Sequence, residues 1–408
     1  GSAVVDENNT SGLGKDGKVP LVALFTYFRM DVETKGGTTT QKQGLAYSLD
    51  NGVTWTKYPG NPIIDNTDLK DFRDPKVFWH EGTQRWIMAL VAGDHVKFYR
   101  SQDLIQWTKV SEFGRDHGAH GGVWECPDLF PLKVEGNQGE KWVLIISIGT
   151  GGPNGGSGTQ YFVGDFDGST FTTDQEEIKW LDWGADNYAG VTYNHTPDGE
   201  RVFIGWMSNW GYALNTPTQT WRSAMTLPRR LSLGKKDGEY FLRNYPVNAV
   251  NDLAETVDGK ELQIPAQGTV SVADEALNQS KISFTTKNRD FKLTFSNALG
   301  EQLNLIFDST SKLVILDRTA SGKTGFEKTF GGYLHYMVMP ETLGSELEGT
   351  IFMDSSSLEL FINGGRYVMT EQVFPSQPYT QLTIDNMSHD GMEVREFSIV
   401  RMEGIWKR

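Results

Sequence analysis

At 408 residues the chain is too long for one ordinary domain. With about 150 residues per domain, it predicts two or three units, or one large repeat fold with a second domain. A 38% hydrophobic fraction, 45 glycines and 12% aromatics exclude a disordered, collagen-like or coiled-coil chain, and a net charge of −14 without a long single-sign block repels phosphate backbones and anionic membranes. A neutral substrate is expected, with neither nucleic acid nor membrane as partner. Cys126 is the one cysteine, so an intrachain disulfide and a cysteine-based zinc cluster are excluded. No apolar run approaches the roughly 18 residues of a membrane span. The chain opens on Gly1-Ser2-Ala3-Val4-Val5 without Met or a signal peptide, and the expectation is that something upstream has been removed or is absent. Sequons at Asn8, Asn9, Asn194, Asn278 and Asn386 are compatible with secretion.

In chain order the pattern is strand after strand, short apolar or aromatic runs broken by Gly, Asn, Asp and Pro. Residues 46–56 and 98–108 read as copies of one unit: a strand, Ser-x-Asp, a turn, and a second strand opening on Trp-Thr. Ser48 and Ser101 are 53 apart, Asp74 and Glu125 51 apart, and Trp86 and Trp142 56 apart. A third unit follows at 164–168, with 202–207 as its later strand. A strand-rich repeat of roughly 50 residues predicts propeller blades, each a four-stranded antiparallel sheet. Such blades fit about four and a half times into residues 1–240. Two carboxylates at equivalent places in neighbouring blades, Asp74 and Glu125, then converge on the axis.

Residues 245–255, opening with Pro246, are the clearest candidate for a helix. Beyond them the texture changes to alternating strands at 281–285, 291–295, 303–307 and 312–316, and a hairpin of 358–362 and 366–370 turned by Asn363-Gly364. These predict a β-sandwich. The fold class expected is all-β: a propeller over 1–240, a linker over 241–254 and a sandwich over 255–408.

Taken singly, the motifs are ambiguous. Asp74-Pro75 reads as a turn or a site. Glu125 lies between Trp124 and Cys126, and in an extended segment it takes the opposite face; burial near aromatics raises a carboxyl pKa, which suits a general acid. The glycine-rich 149–158 lacks the Lys-Ser/Thr of a phosphate loop and reads as a surface loop, and Gly322-Lys323-Thr324 as a hairpin turn. His117 and His120 form an HxxH amid glycines, which argues for a loop and not a metal-bearing helix. No metal and no cofactor is expected.

Together, Phe72-Arg73-Asp74-Pro75-Lys76-Val77, Trp124-Glu125-Cys126-Pro127-Asp128, residues 158–166, Gly205-Trp206-Met207-Ser208-Asn209-Trp210 and residues 221–229 resemble glycoside hydrolase family 32, the invertases, inulinases and levanases. The resemblance covers nearly the whole chain. It implies a five-bladed propeller followed by a β-sandwich, and a retaining mechanism on β-fructofuranosides such as levan, inulin or sucrose. Glu125 matches the general acid/base. Asp74 matches the carboxylate that holds fructosyl hydroxyls and stabilises the oxocarbenium-like transition state. Arg73, Trp210, Asp186 and Ser2 match the substrate-binding positions, Trp210 as an aromatic lining the pocket. Secretion is implied as well.

The family's nucleophile comes from a Trp-Met-Asn-Asp-Pro-Asn-Gly motif that these 408 residues do not contain. The first blade is therefore expected to be incomplete and the chain alone inactive. Its partners would be the N-terminal segment or, through an open sheet edge, a second copy. Two other readings stand beside this one: a related five-bladed arabinan or xylan glycosidase, against which Glu-Cys-Pro and the sandwich argue, and a non-catalytic fructan-binding protein.

Overall fold

The computed structural model describes residues 1–405 apart from 38, 137, 256 and 340–345. It is all-β and divides into two compact units, Gly1–Gly149 with Thr159–Lys179, and Thr150–Gly158 with Trp180–Arg408.

The first unit holds three antiparallel sheets. β1 (Ser2–Val5), β2 (Leu21–Phe28), β3 (Gln41–Ser48) and β4 (Thr56–Lys57) pair in chain order. So do β5 (Phe72–His80), β6 (Arg85–Ala92), β7 (Val96–Ser101) and β8 (Thr108–Phe113), and then β9 (Trp124–Lys133), β10 (Glu140–Ile148), β11 (Gly158–Phe166) and β12 (Phe171–Thr172). These are the blades that the repeat predicts. Within a blade, β6 is buried at every residue after Arg85, which is why it reads as an unbroken apolar run and not as an alternation.

The repeated Ser-x-Asp is a turn lock. Ser48 donates to Asp50 at 2.7 Å, Asp50 accepts from the Thr54 amide at 2.9 Å, and the Trp55 indole donates to the Gly52 carbonyl at 3.0 Å. Ser101 and Asp103 repeat this at 3.0 Å, with the Trp107 indole on the Leu104 carbonyl at 2.9 Å. A side-chain carboxylate that accepts backbone amides fixes a turn without regular secondary structure. In the third copy Asp167 accepts the Ser169 and Thr170 amides.

The second unit carries a fourth blade sheet. After the two-residue β13 (Lys179–Trp180) come β14 (Tyr188–Thr192), β15 (Arg201–Met207), β16 (Ala224–Met225), β17 (Arg229–Lys236) and β18 (Glu239–Pro246). The order is β14-β15-β17-β18, with β16 also on β15. Residues 241–246, expected in a linker, belong to β18, which pairs with β17 along its whole length, Arg229 opposite Pro246 and Lys236 opposite Glu239. The helix expected at 245–255 is a 3-10 helix, Asn248–Leu253.

The β-sandwich follows as two six-stranded sheets. The alternation read from sequence is the core pattern: in Gln302–Asp308 the buried residues are Leu303, Leu305 and Phe307. Phe307 stacks on Phe291 with centroids 4.2 Å apart. Each such side chain contributes about 1.5–3 kcal/mol on leaving water.

The fourth blade sheet groups with the sandwich because a buried ionic network ties them. Arg229, fully buried, reaches Asp182 at 2.8 Å, Glu359 at 2.6 Å and the Thr370 hydroxyl at 2.6 Å. Arg318, also fully buried, reaches Asp186 and Glu371, each at 2.8 Å. Removing one partner would strand a charge in a dry interior, so the two layers are locked together.

Candidate active site

β5 and β9 are the opening strands of successive blades and carry the same irregularity. In β5 the register slips between Arg73 and Lys76, and in β9 the slip falls opposite the step from Ile145 to Ser147. Asp74 and Cys126 both adopt left-handed backbone, with φ of 60° and 49°. Bulges of this kind re-aim side chains near functional sites, and left-handed φ at a non-glycine residue is costly unless the surroundings hold it. The slip also breaks the simple alternation by which Trp124 and Cys126 would share one face.

The structural repeat is 52 residues, which corrects the equivalence expected at 51. Arg73 stands where Glu125 stands, Asp74 where Cys126 does, and Lys76 where Asp128 does. Each pair is in contact. Arg73 Nη2 donates to Glu125 Oε1 at 2.8 Å and Nε to the same oxygen at 3.2 Å. The Cys126 amide donates to Asp74 Oδ2 at 3.1 Å. Lys76 Nζ lies 3.3 Å from the Asp128 carboxylate. Three cross-strand pairs sew β5 to β9 and bring Asp74 beside Glu125.

Burial pushes the Glu125 carboxyl above its ordinary range, Arg73 pulls it down, and Asp74 and Asp71 add to the rise; the balance is upward. Burial works against the Arg73 charge, and bonds to Asp71 at 2.5 Å and to Glu125 outweigh it. The Cys126 thiol is pushed up by burial and then by the neighbouring Asp74 and Glu125, so it stays protonated, its Sγ 3.8 Å from Asp74 Oδ2. A partly buried carboxyl with a raised pKa beside a carboxylate and a fixed guanidinium can hold a proton and deliver it.

Several supporting residues were not legible as site residues. Gln41 Oε1 accepts the Phe72 amide at 2.7 Å, and Gln43 Nε2 donates to the Phe72 carbonyl at 2.7 Å. Thr26 Oγ1 accepts the Asp74 amide at 3.2 Å and donates to Gln43. These side chains satisfy backbone groups of β5 that its pairing with β6 leaves open. The available signal was Gln41 and Gln43 alternating in a strand whose following residues are apolar, where a buried amide needs a partner.

Two expected substrate-binding residues are otherwise engaged. Ser2 donates to the Pro75 carbonyl at 2.9 Å and accepts the Val77 amide at 2.9 Å, so its hydroxyl pins β1 to β5. Asp186, in the second unit, is 0% exposed and accepts from Arg318, the Tyr212 hydroxyl and the Gln372 amide. Trp210, also in the second unit, is 55% exposed, with its ring 5.0 Å from that of Trp206. Among the described residues no group of three or more His, Cys, Asp or Glu is arranged to hold a metal ion, and no helix is long and apolar enough to cross a membrane.

Residues 1–246 match the Glycosyl hydrolases family 32 N-terminal domain, and residues 247–401 the family 32 C-terminal domain. A levanase of Bacillus subtilis is 39% identical over 422 aligned residues; these span the whole of this chain and 60% of the levanase, so the chain spans under two thirds of that relative's length. The crystal structure of an exo-inulinase from Aspergillus awamori superposes with a TM-score of 0.88 at 35% identity, over 100% of this chain and 84% of the other. A β-fructofuranosidase from Schwanniomyces occidentalis, complexed with fructosyl-erythritol, gives 0.82 at 28% identity over 97% and 82%.

Proposed function

The chain belongs to glycosyl hydrolase family 32, and from that premise we propose that it serves the release of fructose from β-fructofuranosides, levan, inulin or sucrose, by a retaining two-carboxylate mechanism. The observation that carries this reading is the cluster of Arg73, Asp74 and Glu125. Both Arg73 contacts fall on Glu125 Oε1, so the proton of the acid form sits on Oε2. Glu125 Oε2–H protonates the glycosidic oxygen as the bond to the fructosyl anomeric carbon breaks, and the leaving sugar departs as an alcohol. A nucleophilic carboxylate takes the anomeric carbon as an ester. Glu125, now ionised, then removes a proton from the water that releases fructose and restores the starting state. Asp74 bonds the fructosyl hydroxyls and offsets the positive charge that develops on the ring. Trp210 offers an exposed face on which a sugar ring can stack. Action outside the cell accords with relatives named extracellular exo-inulinases.

Because the Trp-Met-Asn-Asp-Pro-Asn-Gly motif is absent from the 408 residues, these residues by themselves are proposed to bind fructosides without turning them over. Fructose release by the natural full-length protein from sucrose, inulin and levan, with retention at the anomeric carbon and loss in Glu125→Gln, is the expected result. Inversion, or full activity in that variant, would overturn the mechanism. Fructose released by the purified 408-residue chain alone would show that its nucleophile lies among these residues.

A further inference from the structure

A second polar group meets the same end of the first unit. β5 and β6 pair antiparallel with Phe72 opposite Ala92, so the turn after β6 lies where β5 begins. Gly93 in that turn donates its amide to the Asp71 carbonyl at 2.9 Å, and its carbonyl accepts the Trp124 amide at 2.9 Å. It thereby bridges the residue two before Arg73 and the residue before Glu125. Its φ of 71° explains the glycine. Asp94 follows, and its side chain leaves the turn 55% exposed.

The partner of Asp94 comes from the loop ahead of Glu125. His120 Nδ1 is 3.1 Å from Asp94 Oδ2, and Nε2 is 3.1 Å from the His117 carbonyl. The His120 ring stacks on the buried Trp124 ring at 5.5 Å and 22°. The Trp124 indole in turn donates to the Ala119 carbonyl at 2.9 Å, which fixes the loop. One Asp94 oxygen is thus taken by His120, while the other lies 3.7 Å from His95 Nδ1, beyond hydrogen-bond distance.

We propose that Asp94 accepts hydrogen bonds from hydroxyls of the leaving sugar, with His120 as its positioning residue, and so sets which leaving groups are accepted. The proposal rests on the reading of Glu125 as general acid. The acid gives its proton to the glycosidic oxygen, so the leaving sugar departs on the side of Glu125. Asp94 is a solvent-open carboxylate that the Gly93 bridge and the His120–Trp124 stack tie to the opening residue of that strand. A carboxylate with one oxygen fixed and one open suits a sugar hydroxyl, whose O–H it accepts.

The test compares sucrose with an aryl β-fructofuranoside, whose leaving group carries no sugar hydroxyls, using the natural full-length protein. In Asp94→Ala the ratio of kcat/KM for sucrose to kcat/KM for the aryl substrate should fall about ten- to a hundredfold, the range for losing a hydrogen bond to a charged group. His120→Ala should lower the ratio less, and His120→Asn, which keeps a donor near Nδ1, should restore it. An equal loss on both substrates would overturn the proposal by making the pair a support for Trp124, and so would an unchanged ratio. No fructose from either substrate with the unmutated protein, or full activity in Glu125→Gln, would overturn the underlying reading instead.

Discussion

Arg73 and Glu125 occupy the same position in successive blades, 52 residues apart, and Arg73 places two nitrogens on one Glu125 oxygen, at 2.8 and 3.2 Å. The pair sets two opposing influences on one proton. Burial raises the Glu125 pKa and the guanidinium lowers it, with a net rise. A general acid works in its protonated form, so in the natural full-length protein, on which the kinetics below are measured, kcat/KM should fall as pH rises through that pKa.

Arg73→Gln removes the influence that lowers the pKa. The alkaline limb of the kcat/KM profile should then move to higher pH, even as the rate drops. Asp74→Asn removes a neighbouring negative charge that raises it, and the limb should move to lower pH. Glu125→Gln should cost about 10²–10⁴ in rate and abolish the limb. A pH profile of the three variants checks the signs; movement of both limbs in one direction would show that Glu125 is not the group that titrates.

Asp74 has a left-handed backbone, which Asn tolerates and β-branched residues do not. Asp74→Asn should therefore keep its melting temperature while losing about 10²–10³ in kcat, as expected for a group that stabilises transition-state charge. Asp74→Val should lose both. Thermal unfolding measured alongside kinetics separates the cases, and a melting temperature lowered equally by Asn and Val would count against the backbone argument.

Cys126 is a poor nucleophile in the folded protein, because burial and two neighbouring carboxylates oppose the thiolate. A maleimide reagent at neutral pH should leave the native chain unlabelled and add one label after denaturation. Stoichiometric native labelling by mass spectrometry would contradict the packing described around Asp74.

Asp186 is predicted to be structural. Asp186→Ala should destabilise the fold by at least about 1–3 kcal/mol, since Arg318 keeps Glu371 but the Tyr212 hydroxyl and the Gln372 amide lose their buried acceptor. Denaturant unfolding measures this. A variant with unchanged stability and a raised KM would restore Asp186 to the substrate pocket.

The blade repeat and the sandwich strands were legible in the sequence, because each rests on local pattern; Arg73 joined Asp74 and Glu125 only through the family resemblance. Ser-x-Asp turns lock themselves with their own side chains, and alternation in Gln302–Asp308 is the same in sequence and in the core. The one-residue offset between Asp74 and Glu125 could have been read by aligning Phe72-Arg73-Asp74-Pro75 with Trp124-Glu125-Cys126-Pro127 on their prolines, 52 apart; where the bulges aim the side chains was not legible. Nor were the fates of Ser2 and Asp186. A hydroxyl or carboxylate has the same letter whether it meets a sugar or a buried amide, and only the strands packed against it decide: β5 for Ser2, and the sandwich strand Tyr367–Gln372 with Arg318 for Asp186. The sequence by itself determined the elements and the chemistry available at each position. Long-range packing alone decided which of those polar groups the fold keeps for itself, because their partners lie 26 to 186 residues away.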